Sequence, residues 1–220
     1  MAQERLAIFT GHYGSGKTSI ALNWAMDKKS EGLSVAIGDI DIVNPYFRTA
    51  DSRAELKQKG IDLVCSPFAG SNLDVPSLPR EMSSAIADKS RYTVLDVGGD
   101  DAGAIALGRY ASLIKESKHE MYMVVNFHRP LSSTPEEVIE IMGQIEKAAS
   151  LKCTGLINNS NIGVYTQAED VLCTLEKMEK LSKLSGLPVK MTTASPRLKE
   201  SLEGKVPSLY IITPQSFGIG

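Results

Sequence analysis

Cysteine is scarce in this chain of 220 residues: Cys65, Cys153 and Cys173 are the only three, and no two stand at C-x-x-C spacing. An odd number so widely spread excludes a full disulfide framework and a paired-thiolate metal site, so the three are read as buried thiols. A large excess of charge of one sign is missing too. Against 24 Lys and Arg stand 26 Asp and Glu, a net charge of −2 with no basic run, which gives no electrostatic case for nucleic-acid binding. No stretch of about 18 uncharged apolar residues is present to span a bilayer, and no apolar leader precedes the first strand pattern. A cytoplasmic protein with no membrane partner is expected. No Pro/Gly/Ser-rich linker, low-complexity tract or repeat divides the chain, so residues 1–220 are taken as one domain. Of the histidines, His119 and His128 lack partners at metal-ligand spacing.

What is present is concentrated in one loop. Gly11-His12-Tyr13-Gly14-Ser15-Gly16-Lys17-Thr18 fits G-x-x-x-x-G-K-[ST] at every fixed position, and Ser19 opens the helical pattern that follows. Residues 5–10 read as a buried strand and residues 19–26 as a helix, which is the context this phosphate-binding pattern requires. The glycines let successive N–H groups turn inward toward phosphate oxygens. Lys17 adds a mobile cation for the β- and γ-phosphates, the Thr18 hydroxyl is a Mg²⁺ ligand, and the helix N-terminus favours the anion. A nucleoside triphosphate with Mg²⁺ is the implied ligand.

Further strands are read at 34–39, 61–65, 92–96, 121–126, 153–158 and 187–192, with a last one at 208–213. Helices are read at 51–59, 135–148 and 168–184, the last placing Val171, Leu175, Met178 and Leu181 on one face. Hydrophobic content of 42% is enough for a sizeable core. Short apolar strands alternating with helices predict an α/β fold: three layers, a mostly parallel sheet covered by helices on both faces. Ligands of such sheets bind at the carboxyl ends of strands. There Asp39, Asp41, Asp96, Asn126 and Asn158 gather.

Asp96 ends a buried strand, where a carboxylate is costly unless metal or hydrogen bonds satisfy it, so Asp96 is read as organising the Mg²⁺ shell. Gly99, just beyond, offers an N–H toward the γ-phosphate, while Asp100 and Asp101 are read as caps of the next helix. Asp39 and Asp41 stand in period-2 register on one side of the emerging strand. Arg48 and Arg129 lie in loops at the same edge and are read first as solvated cations. Asn161 stands where GTPases carry the Asp of N-K-x-D. An amide cannot offer two acceptors to guanine N1–H and its 2-amino group, so GTP is disfavoured.

The N-terminal phosphate loop, the Asp39-Ile-Asp41 strand end and Asp96-Val-Gly-Gly99 together resemble the MinD/ParA-type branch of the SIMIBI class of P-loop ATPases. The resemblance implies a Mg-ATP-dependent ATPase and a nucleotide switch, slow on its own, that regulates or assembles a partner protein, with a nucleotide-dependent homodimer possible. It further implies that Lys17 and Asp41 act catalytically, Asp41 on the attacking water, that Asp39 helps Thr18 and Asp96 hold Mg²⁺, that Asn158 contacts adenine, and that Thr193-Ala-Ser-Pro196-Arg197 forms the other wall of the base pocket. One residue departs: His12 stands where these proteins carry a signature lysine, and an imidazole is only a conditional cation. MinD-like membrane binding is not expected, because residues 208–220 read as strand then Pro/Gly-rich tail rather than amphipathic helix. A second reading shares the fold and loop: a small-molecule kinase or ATP-dependent ligase similar to dethiobiotin synthetase, with an acceptor pocket lined by residues 66–80.

Overall fold

A computed structural model describes residues 4–40, 56–65 and 80–213. Eight strands form one sheet: β1 (Leu6–Thr10), β2 (Val35–Ile40), β3 (Ile61–Cys65), β4 (Tyr92–Val97), β5 (His119–Val125), β6 (Gly155–Asn158), β7 (Val189–Ala194) and β8 (Leu209–Ile211). Their order is β3-β2-β4-β1-β5-β6-β7-β8, and every adjacent pair is parallel. Parallel pairing requires crossovers, and the helices that make them cover both faces.

The alternation along β1 shows how each face is built. Leu6 and Ile8 point into one core with Leu95, Val97, Met121, Met123 and Val125, beneath α2 (Arg80–Ala87), α3 (Asp101–Gly108), α4 (Ala111–Lys115) and α5 (Pro135–Ala149). Ala7 and Phe9 point into the other, with Val35, Ile37, Val94, Tyr122 and Val124, beneath α1 (Lys17–Ser30). Period-2 strands with both faces covered read as nearly continuous apolar runs, as β1, β4 and β5 do. The lone tryptophan, Trp24 on α1, packs edge-on against Phe9 with ring centroids 5.9 Å apart. It also donates to the Tyr92 hydroxyl at 3.0 Å, which ties α1 to β4.

The three-layer parallel architecture predicted from the sequence is therefore the one observed, and most elements differ from expectation only at their ends. The helix expected from Pro135 has its capping box: Thr134 Oγ1 accepts from the Glu137 N–H, and the Glu137 carboxylate accepts from the Thr134 N–H. Asp100 caps α3 through the Gly103 N–H at 2.9 Å. Of the helix expected over 51–59, residues 56–58 are helical and 51–55 lie outside the described residues.

Two expectations need correction. The single helix expected over 168–184 is broken into α6 (Ala168–Leu172) and α7 (Leu175–Ser185). At the break Thr174 is buried, donates back to the Val171 carbonyl at 2.7 Å and accepts from Asn158 Nδ2 at 3.0 Å. A strand-end amide docked between two helical turns thus decides the geometry, while Val171, Met178 and Leu181 remain buried as the periodicity required. Cys173, in the same break, is exposed rather than buried. Cys153 is buried as expected, and burial pushes its thiol pKa up to about 12.

Thiol chemistry separates the two. Because the thiolate is the reactive form, the native protein treated with iodoacetamide near neutral pH should label at Cys173 and spare Cys153, with peptide mass spectrometry as the readout. Labelling of Cys153 at a rate matching Cys173 would contradict the burial of Cys153.

Candidate functional site

The carboxyl edge of the sheet is where β1 gives way to the phosphate loop. Gly16, the residue before α1, has φ 86 and ψ 24, a left-handed conformation natural to glycine. A Cβ there would also collide with the Asn159 amide nitrogen. The amide nitrogen of Asn159 donates to the Ser15 carbonyl at 2.6 Å, and its amide oxygen accepts from Thr193 Oγ1. One buried side chain thus ties the loop to the ends of β6 and β7.

Around this clamp the predicted loop residues come together. Lys17 is 7% exposed and its ammonium donates to the His12 carbonyl at 3.0 Å, bridging the loop it would serve. The Ser15 N–H also donates to the His12 carbonyl, at 3.2 Å. Tyr13 stands out into solvent, 67% exposed. Gly99, after β4, lies so close that a Cβ on it would fall 2.6 Å from the Tyr13 amide nitrogen and 2.8 Å from Lys17 Nζ. Thr10 Oγ1 at the end of β1 and Ser15 Oγ within the loop are buried with no hydrogen-bond partner among the described residues. Buried hydroxyls in that condition ask for a ligand or an ordered water.

The metal-ligating residues proposed from sequence converge as well. Thr18 Oγ1 donates to Asp96 Oδ2 at 2.6 Å. Asp39 and Asp96 are direct register partners across the β2–β4 ladder, and both are buried, 4% and 2% exposed. A hydroxyl and two carboxylates are hard oxygen donors, the type Mg²⁺ prefers, and the donor set fits that ion. No group of three or more His, Cys, Asp or Glu among the described residues forms a metal cage alone. That accords with an ion that completes its shell on phosphate and water, as Mg²⁺ does beside nucleotides. Asp41 and Arg48 lie outside the described residues, as do residues 66–79 of the expected acceptor segment.

Beside the loop opens a cleft of about 610 Å³, lined among others by Gly14, Gly16, Ser19, Asn159, Asn161 and Arg197. Its far wall is apolar, from Val164, Val171, Ala194 and Leu198. Such a mixture suits a planar base beside a phosphate chain. Asn158 does not line it. Fully buried, Asn158 uses its amide nitrogen on Thr174 and its amide oxygen on the Ser160 N–H and hydroxyl, at 3.1 and 2.7 Å. Successive strand residues face opposite sides, so the side chain turned toward the loop belongs to Asn159. Pro196 begins the 3₁₀ turn Pro196–Leu198, and its neighbours Ser195, Arg197 and Leu198 line the cleft where Pro196 itself does not. Asn161 is spent locally: it donates to the Asn159 carbonyl and accepts from the Gly163 N–H.

Sequence reasoning missed Asn159, one position from the chosen asparagine, and only the parity of β6 distinguishes them. Of the segment 193–197 expected to wall the base pocket, Thr193, Ala194, Ser195 and Arg197 do line the cleft. Arg197 also donates to the Val164 carbonyl at 2.7 Å and to the Thr166 carbonyl. Two other cavities, of about 440 and 620 Å³, involve residues such as Arg5 and Lys89, or His119 and Lys152, at the amino ends of the strands, away from this chemistry.

No protein-family model and no curated protein sequence matches the chain. Solved structures do. The fold is like that of FtsY. The signal recognition particle receptor FtsY from Elizabethkingia anophelis aligns with a TM-score of 0.54 at 20% identity, covering 87% of this chain and 59% of that one. FtsY from Mycoplasma mycoides gives 0.56 at 18% identity, with 87% and 60% covered. The Elizabethkingia protein in complex with GDP gives 0.55 at 22%, with 88% and 57% covered. The chain thus spans about three fifths of the length of these neighbours, and at such identities the likeness shows an α/β P-loop NTPase fold. No described helix is long and apolar enough to cross a membrane.

A side chain at position 99 would enter space held by the Tyr13 backbone and the Lys17 ammonium. Gly99→Ala is therefore expected to displace the Tyr13 backbone, lowering the thermal unfolding midpoint and costing roughly tenfold or more in Mg-nucleotide affinity. Calorimetric titration beside a thermal melt checks both, and unimpaired binding would show that the two segments separate in the bound state.

Proposed function

We propose that this protein is a Mg-ATP-dependent nucleotide switch of the SIMIBI class, of the MinD/ParA type, which hydrolyses ATP to regulate or assemble a partner protein. The observation that carries the choice of base is the lining of the 610 Å³ cleft, which holds no Asp or Glu among the described residues. Guanine selection rests on a carboxylate that takes donors from both N1–H and the 2-amino group. Here the amides of Asn158, Asn159 and Asn161 are all committed to protein partners. Ser195 Oγ, buried in the cleft wall with no partner among the described residues, remains to meet an adenine edge. The structural neighbour that holds GDP supports nucleotide binding in general. The cleft of this chain favours adenine.

In this reading the inward amide groups of residues 11–18 and the Lys17 ammonium neutralise the phosphates. Thr18, Asp39 and Asp96 would hold Mg²⁺, which when bound offsets charge on the β- and γ-phosphate oxygens. Asp41 positions the attacking water. Phosphoryl transfer asks little more of a protein than placement and charge stabilisation. Triphosphate and its hydrolysis product favour different arrangements of the segment that follows β4, and a partner or a second copy reads the difference. The surface offered for reading includes exposed Tyr13, Ile105 and Leu131 at the same edge.

Lys17→Ala should abolish measurable Mg-ATP binding, whereas Asp41→Ala should bind ATP normally and turn it over at least tenfold more slowly. Phosphate release and calorimetry on the same preparations separate the two; turnover unchanged in the Asp41 variant would remove Asp41 from the chemistry. Wild-type protein should also bind Mg-ATP at least tenfold tighter than Mg-GTP, and the reverse order would defeat the adenine assignment. Strong stimulation of turnover by one compound of a metabolite panel would favour a kinase or ligase instead.

A further inference from the structure

We propose that Arg129 is the cation this chain brings to the triphosphate in cis, in place of the lysine missing at position 12. The inference rests on the nucleotide reading above. The Arg129 side chain lies across the phosphate loop: its Nε is 3.5 Å, and its Cδ and Cζ are 3.8 Å, from the point a Cβ on Gly14 would occupy. Gly14 has φ +74, a conformation natural to glycine, and the Arg129 side chain packs at van der Waals distance from it. Arg129 lines the nucleotide cleft together with Gly14, Gly16 and Ser19. Its guanidinium makes no ion pair or hydrogen bond with any described residue. An arginine so placed is a cation waiting for an anion.

Arg129 itself is exposed, but the loop that presents it is heavily pinned. Asn126, 1% exposed, donates through Nδ2 to the Asn161 carbonyl, and its Oδ1 accepts from the N–H groups of His128 and Asn161. The Asn126 carbonyl accepts from the Arg129 N–H at 3.1 Å and from Ser132 Oγ at 2.9 Å. His128 Nε2 lies 2.8 Å from the Asp170 carbonyl. Leu131 takes a left-handed φ of 64, a conformation disfavoured for leucine, and its side chain is 66% exposed. Strain of this kind persists where surrounding bonds over-determine the backbone, and it concentrates at functional loops. Here the bonds hold residue 129 over the phosphate loop.

The chemistry follows from charge. In phosphoryl transfer negative charge accumulates on the oxygen between the β- and γ-phosphates and on the transferring group, and a guanidinium held against the loop stabilises it more than it stabilises bound ADP. Arginine suits the role because it stays protonated and presents several donors in one plane. An imidazole at position 12 has only two ring nitrogens to offer, and no such planar fork of donors.

The test uses the full chain with Arg129→Ala and Arg129→Lys. Steady-state Mg-ATP turnover is measured, together with equilibrium affinities for ATP, ADP and adenosine. Arg129→Ala should lower kcat at least tenfold and weaken ATP more than ADP, leave adenosine unchanged, and lose part of the salt dependence of ATP binding; Arg129→Lys should recover a fraction of kcat. Equal weakening of all three ligands would make Arg129 a base contact and overturn the proposal. So would kcat and affinities matching wild type, which would return Arg129 to the solvated surface. Wild-type protein that binds no Mg-ATP would defeat the nucleotide reading itself, and the assignment of Arg129 would fall with it. A folded far-UV spectrum and melting point for each variant exclude unfolding as the cause.

Discussion

The carboxyl edge of this protein depends on one buried amide. Phosphate-binding loops work because their N–H groups point inward, which turns their carbonyls outward and obliges something to receive them. Asn159 receives the Ser15 carbonyl, stands against the face of Gly16 that a Cβ would fill, and is held in turn by Thr193. A neutral amide suits this position, since it donates to a carbonyl and accepts from a hydroxyl without bringing a charge beside the phosphate site. Its two bonds link loop, β6 and β7, so the loop and the 610 Å³ cleft share one support.

The acidic half of the site follows a similar logic. Two carboxylates at adjacent register positions of buried strands repel each other and resist desolvation. Asp96 accepts from Thr18, and the hydroxyl and carboxylate oxygens gathered there are donors of the type a hard divalent cation takes. Burial in parallel strands is what makes these acids informative, because the same residues on a solvated loop would carry little implication.

Much of this is legible in the chain's local chemistry. Strand periodicity, the glycine pattern of residues 11–18 and the position of Asp96 each need only neighbouring residues to be read, and the three-layer parallel sheet follows from the alternation of short apolar strands with helices. The errors share a different origin. Asn158 and Asn159 are chemically identical, and which faces the loop depends on the phase of a four-residue strand, Gly155–Asn158, that periodicity cannot set. The break between α6 and α7 arises because Asn158 reaches Thr174, a contact 16 residues apart that leaves the helical pattern of apolar residues intact. Exposure of Cys173 is a by-product of that break.

The sequence by itself determined the class of fold, the position of the glycine-rich loop between β1 and α1, and the oxygen donors that follow it, since each is written in backbone freedom, periodicity or the identity of consecutive residues. Only the tertiary structure decided which asparagine braces the loop, which residues wall the cleft beside it, and that Arg129 lies against Gly14. Those facts depend on side chains from β7 and from the segments after β5 and β6 meeting a loop more than a hundred residues earlier. Such meetings are set by sheet order and strand phase, which no local stretch of chain encodes.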